Sequence, residues 1–190
     1  MNNYIVKILL ALRKLKYSFY SNNSRVKGTF NQYQPVVKRG KGSISFGENV
    51  NFGVINSPHF YNGYIYIEAR TENSTVVFGN NIHVNNGFSL ASEKSITIKD
   101  DVLIGFNCHI IDSDFHNLDP LKRKETDPSP QAVLIERNVF IGNNVTILKG
   151  VTIGENSVVA SGSIVTKSCP ANVIVAGSPA KVVNELLAKN

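Results

Sequence analysis

Cysteine is scarce in this chain, with two in 190 residues. So few exclude a disulfide framework and point to a reducing compartment, the cytoplasm. Long apolar runs are missing as well. The strongest candidate, Ile5 to Leu12, is broken by Lys7 and is far too short to cross a bilayer. It also lacks a small-residue cleavage site, which argues against a signal peptide. Charged residues make up 18% of the chain against 42% hydrophobic, a balance that gives no basis for bulk disorder. There is neither an aromatic-interleaved basic patch nor a helix-turn-helix pattern, so nucleic acid is not an expected partner. The charge present leans positive, with 20 Lys and Arg against 14 Asp and Glu, and favours an anionic partner. The length suits one domain with appendages.

What the chain does have is a period of six. Ile135, Ile141, Ile147, Ile153, Val159 and Val165 stand six apart. Four residues after each come Val139, Val145, Val151, Ser157, Ser163 and Cys169, all small or β-branched. Asn138, Asn144, Gly150, Asn156, Gly162 and Ser168 immediately precede these. A helix would need apolar residues every three or four positions and a simple strand every two; this run does neither. A six-residue repeat is the signature of a parallel β-helix. Asn and Gly enter left-handed backbone conformations at least cost, so a corner is expected at the fourth position. Positions one and five then face a narrow interior. Cys108 and Cys169 both fall at position five, as small buried residues.

Taken in order, residues 1–20 read as a helix in which Ile5, Ile8, Leu9 and Leu12 share a face and Lys7, Arg13, Lys14 and Lys16 supply charge. It either packs on the first coil or its own oligomer, or lies as a basic amphipathic helix at the inner membrane face. Residues 21–45 are polar and read as an irregular connection. The repeat begins at Phe46 and carries a domain over 46–177. A two-residue slip at Ile96-Thr97 is expected as a bulge at a corner. Three hexads make an 18-residue coil, stacked at about 4.8 Å, and each coil buries its interior only against its neighbours. Residues 178–190, with Pro179 near their start and Leu186 and Leu187 on one side, read as a short capping helix. One interruption is much larger: a loop over about 112–131, running from Asp112-Ser113-Asp114-Phe115-His116 through Lys122-Arg123-Lys124 to Pro130. A long loop thrown out of a rigid frame is where function is expected.

Of the four histidines, His59 lies in an irregular stretch, His83 and His109 occupy outward sixth positions, and His116 opens this loop. Asp112 or Asp114 is placed to hold the His116 ring. A neutral imidazole there suits a general base at neutral pH.

On these residues the chain resembles the hexapeptide-repeat acetyltransferases, in the branch of galactoside, maltose and capsular or O-antigen saccharide O-acetyltransferases. The resemblance runs over 78–184. It rests on Phe78-Gly79-Asn80-Asn81 with Asn85, the Asp-rich segment ending in His116, Phe140 to Val145, Ser161 to Lys167, and Ala176 to Lys181. It implies an all-β, left-handed parallel β-helix, although parallel crossovers are otherwise nearly always right-handed. It implies a homotrimer with each site between neighbouring β-helices. His116 would remove the proton from an acceptor hydroxyl that attacks acetyl-CoA directly, and no metal is expected. Asn85 and Asp114 are candidates to bind the saccharide acceptor. Asn143, Ser161, Thr166, Lys167 and Lys181 would contact acetyl-CoA: backbone groups near Ser161 toward the pantetheine, the two lysines toward phosphates. A backbone N–H near Asn143 would stabilise the oxyanion. Ser161 and Lys181 depart from the Ala and Arg common in the family. Asp112-Ser113-Asp114-Phe115 replaces the Gly before His of the galactoside and maltose enzymes, which leans toward enzymes of surface polysaccharides. N-acetylation of an amino sugar, a non-catalytic scaffold, and a zinc site from His83, His109 and His116 are the alternatives.

Overall fold

A computed structural model describes residues 4–186. The chain winds through three parallel sheets that form the faces of a prism. Face A stacks Val26–Lys27, Ser43–Phe46, Thr75–Phe78, Ser95–Ile98, Val133–Ile135 and Thr152–Ile153. Face B stacks Asn31–Gln32, Asn51–Phe52, His83–Val84, Leu103–Ile104, Phe140–Ile141, Val158–Val159, Val173–Gly177 and Ala180–Glu185. Face C stacks Val36–Gly40, Ile65–Ala69, Ser89–Ser92, His109–Ile111, Thr146–Ile147 and Ile164–Val165. Each turn visits A, then B, then C, so the prism has an A/B, a B/C and a C/A edge.

The period of six is what permits this shape. Ile135, Ile141, Ile147, Ile153, Val159 and Val165 are all buried, as are Val139, Val145, Val151, Ser157, Ser163 and Cys169. Between them one residue turns each corner. Asn138, Asn144, Gly150, Asn156 and Gly162 have φ of 57, 55, 78, 60 and 77°. Only Gly, and Asn at modest cost, adopts that conformation readily. The corner asparagines also form ladders: Asn138 donates to Asn156 at 2.9 Å and Asn156 to Asn172 at 2.9 Å. Ser168 is not among the positive-φ residues, and the six-residue spacing lapses there, although Asn172 and Val173–Gly177 add one more corner and rung. At the other end the interior widens to take rings. Phe46 and Phe78 stack at 5.2 Å, Phe52 meets both edge-on, and Phe30 packs 4.7 Å from Phe46.

Three expectations are corrected. The coil starts at Val26, not Phe46: Val26–Lys27 pairs with Ile44–Ser45, and Val36–Gly40 pairs with Ile65–Ala69. The first turns lack the Asn/Gly hexad spacing and so look irregular in sequence. The two extra residues near Ile96 form no corner bulge. They lengthen the strands on both sides of the C/A edge, so that Leu90, Ser92, Ile96 and Ile98 all point inward. Residues 180–185 form a strand, not a capping helix, antiparallel to Val173–Gly177; positions 187–190 lie outside the described residues. The β-branched Val182 and Val183 suit the open edge of face B, whose unpaired backbone groups a packed helix would leave unmet.

The helix α1 (Tyr4–Phe19) forms as expected. Among the described residues no helix is long and apolar enough to cross a membrane. The B/C edge carries an insert over 54–63, tied down by two fully buried amides. Asn86 Nδ2 donates to the carbonyls of Val54, Ser57 and Pro58, and Gln34 Nε2 to that of His59.

Candidate active site

The long loop leaves face C after Ile111 and returns to face A at Val133, so it springs from the C/A edge. Its ends are joined by Gln131 N–H donating to the Asp112 carbonyl at 2.8 Å. Asp112 is fully buried. Its carboxylate accepts from Ser92 Oγ at 2.6 Å and from the N–H groups of Glu93 and Lys94 at 2.7 and 2.9 Å. Asp114 lies 2.6 Å from Lys149 Nζ. Neither carboxylate holds the His116 ring, contrary to expectation. Backbone donors and an ammonium on the rigid coils beside the root claim both, and a buried carboxylate takes the donors that satisfy it.

The ring is held instead by a carbonyl. His116 Nδ1 lies 2.9 Å from the Arg123 oxygen. A carbonyl oxygen only accepts, so Nδ1 carries a proton, and in the neutral ring Nε2 is the nitrogen with the free lone pair. The residue before it, Phe115, has φ of 59°, uncommon for a bulky side chain and a local strain of the kind that gathers at functional sites. Two contacts support that conformation. Phe115 N–H donates to Ser113 Oγ at 2.9 Å, and the Arg70 guanidinium lies 4.2 Å from the ring centroid.

Two side chains of the coils bridge the arms of the loop. Glu93 accepts from Ser113 Oγ at 2.5 Å on the outgoing arm and from Thr126 Oγ1 at 2.8 Å on the returning arm. Lys149 reaches Asp114 on one arm and Asp127 on the other, both at 2.6 Å. Asp127 also accepts from the N–H groups of Asp114 and Ser129 at 3.0 and 2.8 Å. Burial pushes its carboxyl upward, but the Lys149 ammonium and these two N–H groups outweigh that and bring it down to about 2. Burial likewise lowers Lys149, and its two carboxylates outweigh this to raise it. Lys149, Asp127, Glu93 and Arg70 carry no signal in the sequence that marks them for the site. Each looks like an ordinary solvated or turn residue until coils 18 or more residues apart are stacked.

The other candidates divide by edge. Thr166 and Lys167 are exposed on the C/A edge, on the final turn above the loop. Lys167 and Lys181 line one cleft of about 250 Å³ with Cys169 and Ala180. Asn85, Asn143 and Ser161 lie on the B/C edge. Asn85 Oδ1 accepts from Asn86 N–H at 2.7 Å. Asn143 Oδ1 accepts from Phe106 N–H at 3.1 Å. Asn143 N–H donates to Ser161 Oγ at 3.0 Å. A Cβ built on Gly162 would meet nothing within 4 Å, which leaves the main chain beside Ser161 open to a ligand. Within one chain, therefore, His116 is separated from Asn85, Asn143 and Ser161 by the width of face C. The histidines do not converge on a metal either: His83 is exposed on face B, His109 bonds Ser89 on face C, and His116 stands on the loop. The two thiols are free and buried, and burial pushes Cys108 up to about 11.

Known proteins share this frame. The family described as bacterial transferase hexapeptide (six repeats) matches residues 132–167. An Escherichia coli (strain K12) protein provisionally named lipopolysaccharide biosynthesis O-acetyl transferase WbbJ is 35% identical over 160 residues, 80% of this chain and 76% of that protein. A Saccharomyces cerevisiae protein provisionally named an acetyltransferase, YJL218W, is 30% identical over 99% of this chain and 88% of its own length. Among solved structures, a galactoside acetyltransferase in complex with coenzyme A superposes with a TM-score of 0.58 at 35% identity, covering 75% of this chain and 64% of that one. With relatives of this identity along most of its length, and coils cut from six-residue units, the chain belongs to the hexapeptide-repeat acetyltransferase family, on a left-handed parallel β-helix.

Proposed function

We propose that the protein transfers an acetyl group from acetyl-CoA to a saccharide hydroxyl, with His116 as general base. The observation that carries this reading is the His116–Arg123 hydrogen bond. With Nδ1–H engaged by a carbonyl, Nε2 accepts the hydroxyl proton as the acceptor oxygen attacks the thioester carbon. The new C–O bond forms, the C–S bond breaks, and the imidazolium returns the proton to the departing thiolate. The Arg123 oxygen steadies the charged ring during that interval. Lys167 and Lys181, in one cleft, suit the phosphates of the cofactor, and the open main chain beside Gly162 suits its pantetheine amides. Since His116 and Asn85 belong to different edges of one prism, the site is completed when the C/A edge of one copy meets the B/C edge of another. Three copies so joined close a ring with face C inward, a homotrimer. The names of the relatives support a saccharide acceptor, and the lipopolysaccharide relative supports a surface polysaccharide.

The test is release of free CoA thiol with acetyl-CoA and a panel of galactosides, maltose and glucosamine. Transfer to hydroxyl acceptors is expected, and its loss by at least a hundredfold in His116→Ala with coenzyme A binding retained. Full activity in that variant refutes the base. Transfer to the amine of glucosamine alone would make the enzyme an N-acetyltransferase.

The helix α1 supports a location at the inner membrane face. Arg13 turns inward to the carbonyls of Phe60 and Gly63, and Lys14 to that of Gln32. Ile8, Leu9, Leu12, Leu15 and Phe19 are left between 54 and 78% exposed. Nine of the 20 Lys and Arg precede the first acidic residue, Glu48. An apolar row set among cations without anions suits an anionic bilayer surface. Sedimentation with anionic vesicles should therefore fall in Leu9→Asp/Leu12→Asp. Unchanged sedimentation refutes the location, and a change in oligomer mass instead assigns the row to a second copy.

A further inference from the structure

We propose that Lys149 is a positioning residue for the base, resting on the assignment of His116 above: its ammonium, 2.6 Å from both Asp114 and Asp127, clasps the two arms of the loop and so holds His116 against Arg123. The geometry of the loop makes the clasp consequential. His116 stands on the outgoing arm and the carbonyl that engages its ring, Arg123, on the stretch that turns back. Only what keeps the arms together keeps that bond. Further out they share just the Asn117 N–H to Glu125 carbonyl bond, at 2.9 Å. At the root, Gln131 N–H meets the Asp112 carbonyl, Asp127 accepts from Asp114 N–H, Glu93 links Ser113 to Thr126 through hydroxyls, and Lys149 supplies the one cationic bridge among the described residues.

Lys149 belongs to the rigid part of the molecule. It lies between Thr146–Ile147 and Thr152–Ile153, two strands hydrogen-bonded into separate faces, and its neighbour Gly150 donates its N–H to the Gln131 carbonyl at the loop's far end. The side chain is 22% exposed, Asp127 4% and Asp114 34%. The bridge is thus partly shielded from water, which raises its worth above that of an ordinary surface pair. An ammonium with three donors can serve two carboxylates at once. A neutral side chain of similar length can serve neither as an ion. The separation of roles is clear: Lys149 touches neither acceptor nor cofactor in this reading, and acts on the reaction only through the orientation of the imidazole.

The experiment uses the full chain. Nitrogen-15 histidine labelling, with His116→Gln for assignment, reads the ring tautomer. The wild type is expected as a single Nδ1–H form. In Lys149→Met the ring should average between both tautomers, and trypsin should cut at Lys122-Arg123-Lys124 at least tenfold faster. With acetyl-CoA and whichever sugar of the panel is acetylated, kcat should fall at least tenfold while KM for acetyl-CoA stays within twofold. Lys149→Arg, which keeps the charge, should restore most of the loss. An unchanged tautomer and cleavage rate overturn the proposal, as does a disordered ring with undiminished kcat. Asp114→Asn, which cuts the exposed half of the clasp, carries the same readouts if Lys149→Met does not fold. Because tautomer and proteolysis need no turnover, they decide the clasp even if His116→Ala proves fully active and the assignment of the base fails.

Discussion

The charge on Asp127 should be worth measuring by itself, because its contribution has a defined pH window. Asp127→Asn keeps one carbonyl oxygen, which can still receive the Ser129 N–H, but loses the oxygen that receives both the Asp114 N–H and Lys149. The folded carboxyl sits at about 2 against an ordinary 3.8, a gap equivalent to about 2 kcal/mol. Solvent reaching the lysine side screens part of this, leaving about 1–2 kcal/mol. The folded value is depressed, so the stabilisation is fully present above pH ~4, the unfolded value, and is lost as pH falls from there through about 2. The loop can open without unraveling the coils, so the suitable assay is hydrogen exchange at the Ser129 amide, whose acceptor the variant keeps, not global denaturation. At pH 6, protection in Asp127→Asn should drop roughly 5- to 30-fold relative to the wild type. The difference should shrink as both are taken from pH 4 to pH 2. Equal protection at pH 6, or a gap that persists undiminished at pH 2, refutes the reasoning.

Ile147, fully buried between Ile110 and Val165 in adjacent turns, should lose about 2–5 kcal/mol on truncation to Ala; urea titration at fixed protein concentration measures it, and a loss below about 1 kcal/mol would show a loosely packed interior. Asn144, at φ 55°, should cost about 1 kcal/mol as Ala and less as Gly, whereas near-equal losses would show that the corner owes more to its side-chain bond from Asn107. Cys108, pushed by burial up to about 11, should resist a thiol reagent at pH 8 in the native protein and react in denaturant. Rapid native labelling would contradict its burial.

Legibility followed periodicity. From Phe78 onward, an aliphatic every six residues and an Asn or Gly between them specify a coil whose corners need left-handed backbone, and that is where those residues turn. Where the period lapsed, the reading failed. Val26 to Gly40 builds the first turn with alternating strand residues and no hexad, and Ala180–Glu185 joins face B because an open sheet edge was waiting there. A helical pattern and a terminal strand share the same short apolar run, and only the neighbour decides between them.

For the site, the sequence by itself determined which residue types were available: a histidine on a long loop, small open corners at Asn143 to Ser161, and lysines near the chain's end. Only the tertiary structure decided what each one faces. It assigned the ring of His116 to the Arg123 carbonyl and the two nearby aspartates elsewhere, Asp112 to backbone N–H groups and Asp114 to Lys149. It also set Asn85 and His116 on different edges of the prism. The physical reason is that a solenoid stacks residues 18 or more apart in sequence into contact. A one-dimensional period predicts which side chains point outward, but their partners are chosen across turns, by whichever donor or charge the stacking brings within reach.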